Sequence, residues 1–186
     1  MRKLMFTAAA LLLAAIPAYA QRDYPKGEVY GGYSYFTADV NTNNPFSRRE
    51  RIGFHGFGFS GAANFTDNLG VVADFSYHKK NLTGTGLDFS IFNFLFGPRF
   101  TVRGDRVEGF AHALVGGIRR RVETFSPDTD FALGAGGGMD VKVSRDFAIR
   151  VFQLDYIPFR DRNPFTGVVD WRHNLRVGVG ATFRLH

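Results

Sequence analysis

Three residues that could supply an acid, a nucleophile and a base stand at alternate positions of one segment: Asp74, Ser76 and His78. Residues two apart on a β-strand project from the same face, so this spacing would align a carboxylate, a hydroxyl and an imidazole in one row. Such a row could activate the hydroxyl for hydrolytic chemistry. The polar face of an ordinary strand gives the same pattern without catalysis, and we adopt this second interpretation.

Other catalytic and metal-binding patterns are missing from the sequence. None of His55, His78, His112 and His173 is followed by serine two positions later, so the His-x-Ser arrangement of some hydrolases is absent. The chain has no cysteine, which excludes thiol nucleophiles, disulfides and thiolate metal sites. We therefore expect no enzyme activity, no catalytic residue, no metal and no cofactor.

A second set of charged residues lies on the polar faces of the predicted strands, among small residues. Buried charges are tolerated only when they are paired and hydrogen-bonded. We therefore predict a structural network of carboxylates with guanidinium and ammonium groups, together with trapped water. The predicted network consists of Asp74, Arg99, Asp140, Lys142, Arg150, Arg172 and Arg176.

The strands that carry these residues are long. In segment 171–185, apolar residues at the odd positions alternate with polar or small residues at the even ones. Soluble strands usually have about 5–6 residues, whereas crossing a bilayer takes about 9–11. Trp171 and Phe183 stand near the two ends, where membrane strands place aromatic residues. An edge strand of a soluble sandwich is the alternative for this segment alone.

Eight such segments occur, and the connections between them are alternately long and short. The predicted strands are 27–37, 51–65, 69–77, 87–102, 107–118, 131–143, 147–157 and 171–185. Long loops at one end and short turns at the other are typical of an outer-membrane barrel. Because unpaired backbone groups are costly in hydrocarbon, the sheet must close. The sequence thus predicts an all-β fold, an eight-stranded antiparallel up-and-down transmembrane β-barrel.

The alternation leaves some details of these strands open. It does not settle which faces of strands 1, 5 and 7 point outward, and it allows a bulge in strand 7 from Phe152 onward. Pro98 indicates either that strand 4 is not a central strand or that it contains another bulge, because proline has no N–H to donate to the hydrogen bonds between strands.

Residues 1–20 have the pattern of a cleaved signal peptide. Arg2 and Lys3 precede an apolar run, and Ala18-Tyr19-Ala20 forms a cleavage site. The remaining residues, 21–186, form the barrel domain. Its excess of positive charge is modest, since 21 Lys and Arg oppose 17 Asp and Glu once Arg2 and Lys3 are removed from the 23 in the whole chain. We expect no nucleic-acid partner.

Four stretches carry a resemblance to a known family. They are F-G-P-R-F at 96–100, G-G-G-M-D-V-K-V-S at 136–144, I-R-V-F-Q-L-D-Y at 149–156 and N-L-R-V-G-V-G-A-T-F-R at 174–184. With the eight strands and the signal peptide, they make the chain resemble the small OmpA-like outer-membrane β-barrels that have one barrel domain and no periplasmic domain.

This resemblance implies a monomer in a Gram-negative-type outer membrane, in contact with its lipid and lipopolysaccharide and inserted by the barrel-assembly machinery. Family chains usually end on an aromatic residue that serves this machinery as a signal, whereas this sequence ends Phe183-Arg184-Leu185-His186. We expect a structural or surface-interaction role, with the lumen plugged by polar and charged side chains. A narrow porin-like pore, a lipid-modifying enzyme and a surface-loop adhesin are the alternatives.

Arginines gather toward the long-loop end of the predicted barrel. Their guanidinium groups suit the phosphates of lipopolysaccharide, although a solvated surface explains them as well. The candidate phosphate contacts are Arg48, Arg49, Arg119, Arg120 and Arg121.

Overall fold

A computed structural model describes residues 24–40, 50–82, 87–122, 128–162 and 169–186. Its strands are β1 (Gly27–Val40), β2 (Glu50–Asn64), β3 (Leu69–Leu82), β4 (Leu87–Arg103), β5 (Val107–Val122), β6 (Asp128–Lys142), β7 (Phe147–Arg162) and β8 (Val169–Leu185). Each strand is antiparallel to the next, and β8 also pairs with β1, so the sheet closes into a barrel. No helix in the described part of the chain is long and apolar enough to cross a membrane.

The prediction of an eight-stranded up-and-down barrel is confirmed, although several strands are longer than predicted. β3 continues to residue 82 instead of 77, β5 to 122 instead of 118, and β7 to 162 instead of 157. These three extensions lie at the same end of the barrel and are rich in charged residues. The apolar alternation stops there while the backbone ladder continues, so alternation alone ends the strands too early. The predicted signal peptide lies outside the described residues.

Short turns join the strands at the other end, which we call the turn end: residues 65–68, 104–106 and 143–146. Gly104 N–H donates to the Val107 carbonyl at 2.9 Å and closes one of them. A Cβ at Gly104 would lie 2.7 Å from the same carbonyl oxygen, which explains the glycine. We call the opposite end, where β1 ends and β2 begins, the loop end.

Alternate side chains of the strands point outward and inward, and many of the outward ones are large and apolar. On β2, Phe57 and Phe59 are exposed, whereas the residues that follow each of them, Gly58 and Ser60, are buried. The same division holds on β3, where Val71 is exposed and Asp74 is buried. An apolar exterior on a closed barrel is the arrangement that a hydrocarbon environment requires.

Pro98 neither ends β4 nor shifts its pairing. Phe96 lies opposite Val115 and Arg99 lies opposite His112, so the register with β5 is the same on both sides of the proline. Pro98 is exposed on the outer wall within an unbroken strand. The expectation that it marks a bulge or a peripheral strand is therefore wrong.

The expected irregularity does occur in β7. The register with β8 shifts between Arg150 and Gln153, and both intervening residues, Val151 and Phe152, are exposed. Two successive outward residues are the mark of a β-bulge. Beyond the bulge, the odd-numbered residues of β7 face inward, including Gln153 and Asp155.

Candidate functional site: the barrel interior and the outer rim

The centre of the lumen is organised around Arg176 on β8. Its Nη1 donates to Asp74 Oδ1 at 2.6 Å, and its Nη2 and Nε donate to Asp155 Oδ2 at 2.7 and 3.0 Å. His112 Nε2 and Asp155 Oδ1 are 2.7 Å apart, and Gln153 Nε2 donates to Asp155 Oδ2 at 2.8 Å. One guanidinium thus holds carboxylates from two different strands.

Closer to the turn end, Arg150 forms a second buried group. Its Nε and Nη2 donate to the two oxygens of Asp140 at 2.8 and 3.0 Å, which is bidentate pairing. Its guanidinium carbon also lies 4.1 Å from the ring centroid of Tyr30 and 4.3 Å from that of Phe110. Cation–π contacts of this length add to the ion pair where water is excluded. Arg99 lies 4.4 Å from the centroid of the same Phe110 ring.

Two glutamates complete the ionic part of the lumen at the turn end. Glu28 is paired with Arg99 at 3.0 Å and with Arg103 at 2.9 Å. Asn64 Nδ2 also donates to Glu28 Oε1 at 2.9 Å. The Glu28 carboxylate is almost fully buried. Its two arginine partners and the Asn64 amide compensate for the loss of water around the charge.

Glu108 lies beside this group and has three cationic partners. They are Arg103 at 3.2 Å, Lys142 at 3.0 Å and Arg184 at 2.5 Å. Arg103 therefore bridges Glu28 and Glu108. Lys142 Nζ also donates to the Gly104 carbonyl at 2.8 Å.

Toward the loop end, apolar side chains point into the lumen and pack together. Phe36, Leu95, Ile118 and Ile157 each have no exposed surface. They belong to a cluster that also contains Ala38, Phe54, Ile91, Leu114, Ala132 and Phe159, and that extends toward the turn end through Ala62 and Val72. We call this cluster the apolar layer. This layer differs from the expectation that inward positions are polar or small.

A last ionic group covers the apolar layer at the loop end. Arg120 Nη2 donates to Asp130 at 2.6 Å and to Asp161 at 2.9 Å. The Arg120 guanidinium lies 5.0 Å from the centroid of Phe159, and Arg172 Nε donates to Asp161 at 3.1 Å.

The row of Asp74, Ser76 and His78 does point inward, but its members have separate partners. Ser76 Oγ accepts from Arg176 Nη1 at 3.0 Å, and Asp74 is paired with the same arginine. His78 Nε2 instead lies 2.8 Å from Ser34 Oγ, and its ring packs 5.2 Å from that of Phe36. Within the described residues, His78 Nδ1 has no hydrogen-bond partner that could orient it as a base.

The seven residues of the predicted network fall into two groups. Asp74, Arg99, Asp140, Arg150 and Arg176 are buried in the lumen and ion-paired. Lys142 and Arg172 are partly exposed and lie at the turn end and the loop end respectively.

Among the described residues, the strand pattern did not predict Glu28, Arg103, Glu108, Asp155 and Arg184 in the interior, or Asp130 and Asp161 at its mouth. Arg184 carried a usable signal, because it continues the even-numbered row of Arg172 and Arg176. Asp155 would have been found by assuming one extra residue in β7. Glu28 and Glu108 stand in strands whose faces the sequence did not settle.

The candidate phosphate contacts also divide. Arg119 and Arg121 are exposed on the outer wall at the loop end, whereas Arg120 between them points into the mouth of the barrel. Arg120 is paired with Asp130 and Asp161 there and does not share the outer wall with Arg119 and Arg121, since adjacent strand residues face opposite sides. Arg48 and Arg49 lie outside the described residues.

Arg121 lies in an outward row at the loop end, which we call the outer rim. His55, Lys79, Ser90 and Arg121 are successive register partners from β2 to β5. A surface cavity of about 170 Å³ is lined here by Tyr77, Lys79, Asp88, Ser90 and Arg121. Asp88 pairs with Lys79 at 2.5 Å. Among the residues that the structure describes, no group of three or more His, Asp or Glu side chains could hold a metal ion.

Comparison with known proteins gives a family match. The model of the outer membrane protein beta-barrel domain matches residues 6–183. No curated protein matches the sequence.

Solved structures of small outer-membrane barrels have similar folds. Neisserial surface protein A has a TM-score of 0.67 at 12% identity, covering 88% of this chain and 100% of its own. OprG from Pseudomonas aeruginosa has a TM-score of 0.55 at 10% identity, covering 88% and 97%. Ail, the attachment invasion locus protein of Yersinia pestis, has 0.54 at 16% identity, covering 87% and 99%. At these identities the likeness shows the fold alone.

Proposed function

The chain belongs to the outer membrane protein beta-barrel domain family, and from this membership we propose that it is a non-conducting barrel with a structural or surface-interaction role. Its place is the Gram-negative-type outer membrane, with the turn end in the periplasm, as short turns are in such barrels. The interior carries no cofactor or substrate in this proposal.

One observation carries the proposal: two barriers of different chemistry, one ionic and one apolar, succeed each other along the lumen. Arg176, Asp155 and Asp74 join side chains from β8, β7 and β3 across the centre. The apolar layer then fills the interior toward the loop end with residues such as Leu95 and Ile118. Ion pairs that exchange partners could open the first barrier, but an apolar constriction also excludes ions by excluding water.

Planar-bilayer recording tests this proposal. The purified mature protein, inserted in its folded form, should give no discrete conductance steps, while a porin added to the same bilayer gives them. Folding is verified by the different electrophoretic migration of heated and unheated samples. Regular single-channel steps from the folded wild-type protein would overturn the proposal in favour of a narrow pore.

A non-enzymatic role is the second part of the proposal. The Ser34 and His78 side chains are hydrogen-bonded but buried, and His78 lies against Phe36 of the apolar layer. A lipid substrate would have to reach this pair through the packed interior. Mass spectrometry of lipid A from cells with and without the protein should show the same species. A product that the Ser34→Ala variant no longer forms would contradict this part.

For the surface-interaction role, we propose that the outer rim binds lipopolysaccharide phosphates. Lys79 and Arg121 flank the cavity between β3 and β5, and Arg119 lies one outward row nearer the membrane centre, opposite Phe92. Arginine and lysine donors above an aromatic belt match the position of phosphates at a membrane surface. Arg48 and Arg49 remain candidates for the same contact.

Co-purification of lipopolysaccharide with chain variants tests this contact. The Arg119→Gln and Arg121→Gln double variant should retain less of it than the wild type, because two outward guanidinium groups are lost. Arg106→Gln is the control, since it removes an exposed guanidinium at the turn end, away from the outer rim. Equal retention by the double variant and the wild type would refute the contact.

A further inference from the structure

The outer wall has an apolar groove near the turn end, on the side formed by β1 to β4. It has a volume of about 490 Å³, and its lining includes Gly27, Val29, Gly61, Ala63 and Val71. A Cβ built on Gly61 would have no neighbour within 4 Å. The groove is thus an open depression, and the outer wall around it carries large side chains.

Two rows of outward residues form the floor of the groove. Register partners in the first row are Leu185, Gly27, Ala63, Val71 and Pro98, from β8 to β4. The second row consists of Phe183, Val29, Gly61, Ala73 and Phe96. The middle three residues of each row are small or β-branched, so the depression follows the rows across the strands.

Large apolar residues, most of them aromatic, border the groove on both sides. Phe59, Phe75 and Phe94 are register partners in the next row toward the loop end. Phe65, Leu69 and Phe100 stand on the side of the turn end, and all three are exposed. A flexible apolar chain lying in the groove would therefore contact side chains on three sides.

The floor rises from the turn end toward the middle of the membrane. Its first row begins at Leu185, the last residue of β8, and crosses β1 at its first residue, Gly27, but passes β4 at Pro98, five residues before that strand ends at Arg103. With strands about 4.8 Å apart, the distance from β8 to β4 is roughly 19 Å. One leaflet accounts for about half of the 30 Å hydrocarbon core, so the groove can hold much of a lipid chain.

An exposed lysine directly precedes Gly27, the first residue of the groove floor on β1. This residue is Lys26, and its Nζ lies 3.7 Å from the ring centroid of Tyr24. Tyr24 is itself anchored, because its hydroxyl donates to the Phe65 carbonyl at 2.8 Å. Lys26 thus provides an exposed positive charge at the turn end, one residue before the groove floor.

We propose that this groove holds one acyl chain of a glycerophospholipid of the periplasmic leaflet, with the lipid phosphate against the Lys26 ammonium. The apolar walls supply contact with the chain, and the cation supplies contact with the phosphate. This site lies on the outer wall and goes beyond the closed lumen, although it shares the assumption that the turn end is periplasmic. A second copy of the barrel is the competing occupant.

Photo-crosslinking in lipid vesicles tests the proposal. The probe is phosphatidylglycerol with a photoactivatable group in its acyl chain, diluted into phosphatidylethanolamine, and the labelled residues are mapped by mass spectrometry. Labelling should concentrate on the floor residues of β1, β2 and β3. Gly61→Leu should reduce it clearly, because the leucine side chain would occupy the groove and remove packing contacts with the acyl chain.

Gly109→Leu is the matched control for the groove. Gly109 lies on β5 outside the groove, and a Cβ there would also have no neighbour within 4 Å. It should leave the labelling of β1 to β3 unchanged, whereas Lys26→Gln should weaken it. Even labelling around the whole wild-type barrel, or equal effects of the two glycine variants, would overturn the proposal. So would a wild-type dimer that Gly61→Leu dissociates, because the occupant would then be a second copy.

Discussion

Arg176 Nη1 donates to Asp74 Oδ1 at 2.6 Å across the lumen, although 102 residues separate them and their strands are not neighbours. The backbone ladder does not join β8 directly to β3, so this contact is a cross-brace made by side chains. Asp155 on β7 shares the same guanidinium. The three residues together join side chains of β8, β7 and β3 across the centre of the lumen.

Arg176→Met is expected to be severely destabilising. It leaves Asp74 and Asp155 buried without their shared cation, and removing one partner of a buried ion pair costs about 3–5 kcal/mol. Urea unfolding in detergent micelles measures the loss, with the fluorescence of Trp171, the single tryptophan, as the signal. Arg121→Met is the control, because that side chain is exposed at the outer rim. Similar losses in both variants would contradict a bracing role.

Strand alternation was sufficient to predict the barrel and the inward direction of Asp74 and Arg176. It failed where the period of two is interrupted or uninformative. The single extra residue in β7 hid Asp155, because each inward position after Phe152 is displaced by one. In β1, aromatic residues face both ways, since Tyr30 is buried and Tyr33 is exposed, so hydrophobicity could not place Glu28.

The apolar layer was unpredictable for a related reason. In a membrane barrel, an apolar residue is expected to face outward, and nothing in the local sequence of Phe36 or Ile157 indicates the opposite. Their inward direction follows from register, which depends on pairing with distant strands. The ion-pair partners across the lumen were likewise beyond reach, because they depend on which strands face each other.

Phe36→Ala tests how much the apolar layer contributes to stability. Phe36 has no exposed surface, so its removal leaves a cavity, and such truncations typically cost about 3–5 kcal/mol. Phe57→Ala is the matched variant, because Phe57 is exposed on the outer wall, where lipid can fill the space. The same urea titration should show a clearly larger loss for Phe36→Ala. An equal or smaller loss would mean that the layer is loosely packed.

Arg120→Gln should loosen the mouth of the barrel. Asp130 and Asp161 would keep their negative charges close together without the arginine that now bonds to both. Amide hydrogen exchange should become faster at the loop-end residues of β5, β6 and β7, since local opening there costs less free energy. Arg119→Gln, which alters an outward side chain of the same strand, should not have this effect. Unchanged exchange in Arg120→Gln would refute the role of the mouth cluster.

The bulge in β7 makes opposite predictions for two single-residue deletions. Val151 and Phe152 both face outward, so deleting Phe152 restores simple alternation and leaves Arg150, Gln153 and Asp155 facing inward. Deleting Leu154 removes an outward residue between Gln153 and Asp155 and forces one of these two to change sides. Either Asp155 loses Arg176 and faces lipid, or the bulge closes and Phe152 enters the lumen. The Phe152 deletion should therefore refold and keep the faster migration of an unheated folded barrel in electrophoresis, whereas the Leu154 deletion should not. If both deletions refolded equally well, the register of β7 would not be what places Asp155 against Arg176.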